Sequence, residues 1–217
     1  GFMLDETLWD DFIDGYPPGQ TFCPVSLGQE ESLAEMAAGI AAKLPERFIL
    51  AGFSLGGYVA RAIAEAVPEK VAGLILIATS LREDSHRQRE RLDAVALSSE
   101  FRGISPAAIK QSLHPKFHDD KALLERIREM GKRLGPEVFR AQSLLKRGGI
   151  TFREMTCPVL IIAAGEDRLR SLSEAAELSE LFRCPVEIIE GSGHMIPLEK
   201  PRELAQVISN WISRTGL

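Results

Sequence analysis

Three groups of residues in this 217-residue chain carry side chains that could cooperate in nucleophilic catalysis. The first is a G-x-S-x-G pattern at residues 52–56, with Ser54 at its centre. A serine hydroxyl is a poor nucleophile at neutral pH, and it needs a neighbouring base, usually a histidine that a carboxylate orients. Carboxylates occur at Glu166 and Asp167, and a histidine flanked by glycine occurs at His194. The pattern therefore predicts nucleophilic chemistry if the fold brings these groups together.

The local sequence around Ser54 changes from strand character to helix character. Residues 48–50 form a short apolar run typical of a buried parallel strand, and residues 55–67 are predicted to form a helix. A serine on such a corner has a strained backbone, and we expect a Cβ at Gly52 or Gly56 to collide with it. The alternative is a glycine-rich connection that only permits close packing. A phosphate-binding loop is not supported, since no glycine pattern of that kind occurs.

Strand and helix patterns alternate along most of the chain, which predicts a parallel sheet with helices on both faces. Predicted helices cover residues 5–12, 33–44, 173–181 and 202–213, and further strands cover residues 21–25, 71–78, 158–163 and 186–189. Ligands bind beyond the carboxyl ends of the strands in such sheets. Glu166 and Asp167 follow one predicted strand and His194 follows the next. We therefore expect them at the same sheet edge as Ser54.

The alternation stops between residues 81 and 150, where the sequence is polar and helical. Ser105-Pro106 is typical of a helix start, and periodic runs follow at residues 120–134 and 136–146. We predict that residues 81–150 form an inserted helical lid and that residues 1–80 and 151–217 form the core.

The predicted lid is basic, with 15 Lys plus Arg against 10 Asp plus Glu, whereas the rest of the chain has 11 against 21. Such a lid could steer an anionic substrate or an acidic acyl-carrier protein, and Arg126, Arg128, Lys132 and Arg133 are the candidates. A solvated helix face, on which Lys and Arg are common, is the alternative.

Composition excludes several classes of protein. The net charge of −5 argues against a general nucleic-acid binder. No apolar stretch reaches about 18 residues, so no membrane span is predicted. Cys23, Cys157 and Cys184 fit neither a disulfide framework nor a zinc site, and we expect reduced thiols in a cytoplasmic protein. His114 and His118 could ligate a metal, but a proline separates them and no Glu completes a hydrolytic zinc motif, so no metal is predicted.

Three segments in chain order, GFSLGG, GED and GSGHMIPLEKP, resemble the motifs of the α/β-hydrolase fold enzymes. The resemblance implies that Ser54 is the nucleophile, that His194 is the general base and then the acid, and that Asp167 rather than Glu166 orients the imidazole. It is strongest to small esterases, enol-lactonases, carbon–carbon bond hydrolases and cofactor-free perhydrolases. No cofactor is implied.

The same resemblance implies an oxyanion hole built from backbone amides. The Leu55 amide follows the nucleophile, and the Phe2 amide is the second donor because Gly1-Phe2 looks like the end of the family's His-Gly-x motif. Family members also have an eight-stranded, mostly parallel sheet with a strand between those matching residues 21–25 and 48–51. That strand would precede residue 1, so we expect the natural protein to begin earlier.

The sequence thus predicts a serine hydrolase that cleaves a carboxylic ester or thioester of a small to medium substrate through an acyl-enzyme. Carbon–carbon bond hydrolysis, lactone opening and perhydrolysis on the same triad are alternatives. A receptor that binds a small ligand on this scaffold is a further one. The expected partner is a small ester or acyl compound, and neither nucleic acid nor membrane is expected.

Overall fold

The computed structural model describes residues 1–83, 103–148 and 155–217. Its centre is a four-stranded sheet in the order β1-β2-β3-β4, in which every neighbouring pair is parallel. The strands are β1 (Phe48–Phe53), β2 (Val71–Ile77), β3 (Val159–Ala164) and β4 (Val186–Ile189). The predicted α/β class with a parallel sheet is confirmed.

Helices precede, connect and follow these strands. They are α1 (Asp10–Asp14), α2 (Leu33–Ala41), α3 (Leu55–Ala66), α4 (Pro106–Ser112), α5 (Lys121–Leu144), α6 (Leu172–Phe182), α7 (Ile196–Glu199) and α8 (Pro201–Thr215), with 3-10 turns at Glu6–Trp9, Pro68–Lys70 and Pro115–Phe117. Serine side chains cap α2 and α6, because Ser32 and Ser171 each accept a hydrogen bond from a backbone amide three residues later.

Strand β2 shows why helices cover both faces of the sheet. Its side chains alternate in direction, so Ile75 and Ile77 pack in a buried cluster with α1, α8 and the helices that follow β2. Leu74 and Leu76 pack on the opposite face against α3 and α6. Both faces are therefore apolar, which accounts for the continuous apolar run in the sequence.

The strand predicted at residues 21–25 is wrong, because these residues form neither helix nor strand. Pro24 interrupts the segment and has no N–H for a strand ladder. Phe22 instead packs edge-on against Phe12 and Tyr16, with ring centroids 5.7 and 5.1 Å apart. Within the described residues, β1 has no strand on its outer edge.

The segment between β2 and β3 follows the predicted helix pattern where it is described. Ser105 caps α4 by accepting a hydrogen bond from Ala108 N at 3.2 Å, and Pro106 occupies the first turn. Helix α5 is broken at Gly135, where φ is 81° immediately before Pro136, between the two predicted runs. Residues 84–102 and 149–150 of the predicted lid lie outside the described residues, and the division into core and lid stays a prediction.

Among the described residues, no helix has the length and apolar character that a bilayer span requires.

Candidate active site

Ser54 lies at the turn between β1 and α3, where hydrogen bonds to its backbone N–H and C=O groups hold it in place. Its amide donates to the Ile77 carbonyl of the neighbouring strand at 2.9 Å. Its carbonyl accepts from the Thr79 hydroxyl at 2.8 Å and from the Gly57 amide at 3.0 Å. The backbone angles, φ 53° and ψ −116°, are strained for a residue with a Cβ. These bonds stabilise the strained turn and fix the direction of the serine side chain.

Of the two glycines expected to be sterically required around Ser54, one is required and the other is not. A Cβ at Gly52 would lie 2.4 Å from the Gly56 carbonyl oxygen, so that position does require glycine. The expectation for Gly56 is wrong, since nothing lies within 4 Å of the place its Cβ would take. Gly57 is the second restricted position, because its Cβ would lie 2.4 Å from Thr79 Oγ1. Sequence inspection missed Gly57, although the doubled glycine was visible.

Ser54, His194 and Asp167 form a continuous hydrogen-bonded chain. The His194 Nε2 atom lies 2.9 Å from Ser54 Oγ, and its Nδ1 atom lies 2.7 Å from Asp167 Oδ2. A carboxylate can only accept, so Nδ1 carries the proton and Nε2 of the neutral ring accepts from the serine hydroxyl. The imidazole also stacks at a tilt on Phe53, with centroids 5.1 Å apart. The arrangement can remove a proton from Ser54.

Asp167, and not the adjacent Glu166, contacts the histidine. The Asp167 side chain is only 1% exposed, and its Oδ1 atom accepts from the amides of residues 169 and 170 at 2.7 and 2.9 Å. Those bonds hold one oxygen and leave the other for His194. Glu166 is directed to a different partner, because its Oε2 atom accepts from the Ser192 amide at 3.1 Å.

The loop that carries His194 packs against the segment that follows α4. The His194 amide donates to the Ser112 carbonyl at 2.8 Å, and a Cβ at Gly193 would lie 2.4 Å from His114 N. The buried carboxylate of Glu199 accepts hydrogen bonds from backbone amides in both segments. Sequence inspection missed Glu199, and the available signal was a carboxylate inside the apolar run that follows the histidine.

The Leu55 amide lies at the first residue of α3, where the helix leaves its N–H groups without intrahelical acceptors. No acceptor for this amide occurs in the part of the chain that the structure describes. The N-terminus of a helix also favours negative charge. An oxyanion formed beside Ser54 could therefore bind there.

The N-terminal loop approaches the same turn. A Cβ at Gly1 would lie 3.0 Å from the Phe53 ring, one residue before the serine. The Met3 amide donates to Gln142 Oε1 at 2.8 Å and is therefore occupied, whereas the Phe2 amide has no acceptor among the described residues. Of these two amides, that of Phe2 is the one available to a ligand.

The histidines considered as metal ligands contact the protein backbone. His114 Nδ1 accepts from the Lys116 amide at 3.1 Å, and His118 Nε2 lies 3.3 Å from the Leu113 carbonyl. In the described ranges, no group of three or more His, Cys, Asp or Glu side chains is placed to hold a metal ion.

Comparison with known proteins relates this chain to hydrolases. A family model described as "Alpha/beta hydrolase family" matches residues 13–207. A pimeloyl-[acyl-carrier protein] methyl ester esterase from Yersinia enterocolitica is 28% identical over 220 residues, covering 97% of this chain and 78% of the relative.

Solved structures agree with the family match. A thermophilic esterase from Thermogutta terrifontis, with malate bound, superposes with a TM-score of 0.80 at 25% identity, covering 99% of this chain and 88% of the other. The enol-lactonase from Burkholderia xenovorans LB400 superposes with a TM-score of 0.79 at 14% identity, covering 98% and 88% of the two chains, which shows a shared fold. The expectation of a hydrolase enzyme is confirmed. The chain belongs to the alpha/beta hydrolase family.

Proposed function

We propose that this protein is a serine hydrolase that cleaves a carboxylic ester or thioester through an acyl-enzyme. The observation that supports it is the chain of hydrogen bonds from Ser54 through His194 to Asp167, at 2.9 and 2.7 Å. Both distances suit proton transfer without rearrangement of the site.

In the first half of the reaction, Ser54 Oγ attacks the carbonyl carbon of the ester and its proton passes to His194 Nε2. Asp167 stabilises the resulting imidazolium through Nδ1–H. The carbonyl oxygen becomes an oxyanion, which the Leu55 and Phe2 amides bind. Collapse of this intermediate breaks the bond to the leaving group, and His194 protonates the departing alcohol or thiol.

In the second half, a water molecule attacks the acyl-enzyme carbonyl and His194 accepts its proton. The second tetrahedral intermediate expels Ser54 Oγ, which recovers a proton from His194, and the free acid leaves. The cycle consumes one water per ester and needs no electron carrier.

A fluorophosphonate probe tests the proposal, because it reacts covalently with an activated serine. We expect rapid labelling, located at Ser54 by mass spectrometry, and turnover of p-nitrophenyl esters in a series from acetate to decanoate. Ser54→Ala should lose both. Ser213→Ala is the matched control, since that exposed hydroxyl on α8 donates to the Ser209 carbonyl and has no contact with the site among the described residues. A folded protein that the probe does not label would instead favour the receptor alternative.

We propose that the substrate is an ester on an acyl chain, and that this chain is attached to an acidic carrier protein. The support is the relative from Yersinia enterocolitica, whose name specifies a pimeloyl group on acyl-carrier protein and which aligns with 97% of this chain. A carrier protein with a negative surface would need cations near the entrance to the site.

The four cations of the predicted lid that the sequence suggests for this role each form an ion pair with a carboxylate of the protein. Arg126 contacts Asp11, and Arg133 lies 2.7 Å from Asp5, so both bind to the N-terminal helices. Lys132 and Arg128 contact acidic residues of α5 itself, at positions 125 and 129. Their charges are matched within the protein, so the proposed docking surface is assigned elsewhere.

Exposed cations without a carboxylate partner among the described residues remain at both ends of α5. Arg140 lies in its last two turns and Lys146 follows its end, while Lys121 begins it. We expect Arg140→Glu with Lys146→Glu to raise KM for a carrier-bound methyl ester by about 10-fold and to leave KM for a free methyl ester unchanged. Lys121→Glu is the matched control at the opposite end of the helix. Equal effects on both substrates would contradict carrier docking.

The location of the protein stays a prediction. Cys23, Cys157 and Cys184 are free thiols, as expected for the cytoplasmic protein that we propose. Burial raises the pKa of the Cys157 and Cys184 thiols, which makes them less reactive at neutral pH.

A further inference from the structure

Glu199, at the end of α7, has a buried carboxylate with three backbone donors. Its Oε2 atom accepts from the amides of Gly193 and His114, each at 2.9 Å, and its Oε1 atom accepts from the Met195 amide at 3.0 Å. The residue is 6% exposed. No ion pair to Glu199 occurs within the described residues, so main-chain N–H groups take the place of a cationic partner.

These three amides come from two segments that meet at the candidate general base. Gly193 and Met195 are the residues on either side of His194, so the carboxylate holds the backbone both before and after the histidine. His114 belongs to the segment that follows α4, 85 residues away in sequence from Glu199. One side chain thus attaches the histidine loop to the segment between β2 and β3.

Burial makes this arrangement sensitive to loss of any one bond. Burial raises the pKa of the Glu199 carboxyl, and the bonds from the three backbone amides and the nearby His114 ring act in the opposite direction. A buried carboxylate is costly unless its oxygens are bonded, and an amide left facing it without an acceptor is costly as well. The set of three bonds therefore forms or breaks largely as a unit.

The close approach of the two segments supports the same interpretation. A Cβ at Gly193 would lie 2.6 Å from the Leu113 carbonyl carbon and 3.1 Å from Glu199 Oε1. A larger residue at Gly193 would therefore separate the histidine loop from the carboxylate. The Lys116 ammonium adds a further link by donating to the Gly191 carbonyl at 2.6 Å.

We propose that Glu199 is a positioning residue for His194, which keeps the imidazole aligned between Ser54 and Asp167 while its protonation state changes. This inference rests on the proposed function, in which His194 accepts a proton and then donates it. The carboxylate touches neither substrate nor reacting atoms, and it acts through the backbone of the loop. Its loss should reduce kcat, since a displacement near 1 Å can slow a reaction by about 100-fold.

The variant Glu199→Gln tests this with little change in volume. The glutamine oxygen can accept from Gly193 and His114, but its NH₂ group then faces the Met195 amide, so one donor opposes another. We expect kcat to fall about 10- to 100-fold with KM within about 2-fold. The proton on His194 Nδ1, observed by NMR at low field, should shift or broaden through exchange. A purely structural role for Glu199 would leave that signal in place.

Glu203→Gln is the matched control. It removes a carboxylate one turn further along, in α8, which is 51% exposed and accepts from the Lys200 ammonium at 2.6 Å. This variant should keep kcat, KM and the His194 signal. A Glu199→Gln protein that folds and retains both kcat and the His194 signal would overturn the proposal.

Hydrogen exchange of the unsubstituted protein covers the case in which Glu199→Gln does not fold. The amides of Gly193, Met195 and His114 should be protected and should exchange at one common rate, and independent exchange would overturn the proposal. Failure of the proposed function is recognised separately, because the unsubstituted protein would then resist the fluorophosphonate probe. The Glu199→Gln effect on the His194 signal would still decide the positioning role.

Discussion

The strand-end site and the contact between α5 and the N-terminal helices are held together in different ways. At the site, the His194 and Asp167 side chains are 5% and 1% exposed, and two backbone amides donate hydrogen bonds to Asp167 Oδ1. In the helix contact, Arg133 and Arg126 are 50% and 31% exposed and reach across to carboxylates. Buried polar groups must be bonded, whereas exposed ion pairs contribute only about 0–1 kcal/mol. We therefore expect changes at the site to have large effects and changes at the helix contact to have small ones.

Replacement of Asp167, the carboxylate that orients His194, should have the largest effect on kcat. Asp167→Asn puts an NH₂ group or a neutral oxygen against His194 Nδ1, which favours the wrong tautomer, and we expect kcat to fall about 10⁴-fold. Glu166→Gln is the matched control, because that neighbouring carboxylate bonds the Ser192 amide instead. It should keep kcat within about 10-fold. Steady-state kinetics on a p-nitrophenyl ester measures both, and an equal loss in the two variants would contradict the assignment of the acid.

The two glycines after Leu55 allow a sharper test of packing around the nucleophile. In Gly57→Ala the new Cβ would lie within 2.6 Å of three side-chain atoms of Thr79, a stiff β-branched residue that is 3% exposed. We expect a loss of about 1–3 kcal/mol in the free energy of unfolding. Gly56→Ala meets no atom within 4 Å and replaces a poor helix former, so it should be neutral or stabilising by up to about 1 kcal/mol.

Urea denaturation of the two alanine variants provides the measurement. If Gly56→Ala is as unstable as Gly57→Ala, then the collision with Thr79 is not the cause of the lost stability. Thr79→Ser removes only the methyl group of Thr79, so it should restore part of the stability lost in Gly57→Ala, because the new Cβ would still lie 2.4 Å from the position of Oγ1.

The parts that sequence predicts well are those determined by burial along a short stretch. Strand β2 is buried on both faces and so is continuously apolar, and Ser105-Pro106 begins α4 as a local capping signal predicts. Ser54, Asp167 and His194 could be identified as site residues because each comes shortly after a predicted strand. Their meeting at one edge follows from the parallel sheet, in which carboxyl ends of strands lie together.

What sequence does not predict depends on partners that are distant along the chain. Glu199 meets His114 85 positions away, and no periodic pattern marks such a pair. The restriction at Gly57 comes from Thr79, which only the folded β2 brings near. Residues 21–25 have apolar and aromatic side chains typical of a strand, but Phe22 finds its partners in an aromatic cluster instead. Tertiary contact decides these cases, and local propensity does not.

The smallest effects should come from the helix contact, where two aspartates differ in burial. Asp5 is 7% exposed and bonds Arg133, whereas Asp11 is 46% exposed and bonds Arg126. Asparagine caps a helix about as well as aspartate, so Asp5→Asn can keep the bond from the Thr7 amide, but it removes the charge and puts an NH₂ group against Arg133 Nε. We expect urea denaturation at pH 7 to show a loss of about 1 kcal/mol for Asp5→Asn and less than about 0.5 kcal/mol for Asp11→Asn.

The pH dependence separates a charge effect at Asp5 from a packing effect. Burial raises the pKa of Asp5, but the hydrogen bonds from Arg133 and Thr7 outweigh burial, so the pKa lies below its usual value. A lowered pKa stabilises the fold above the unfolded-state pKa of about 3.9, and that contribution is lost as the pH falls through the folded-state pKa. The difference between the unsubstituted protein and Asp5→Asn should therefore shrink below about pH 4. NMR titration of the Asp5 carboxyl carbon checks the direction, and a midpoint above the unfolded value would show that burial, and not Arg133, dominates at this contact.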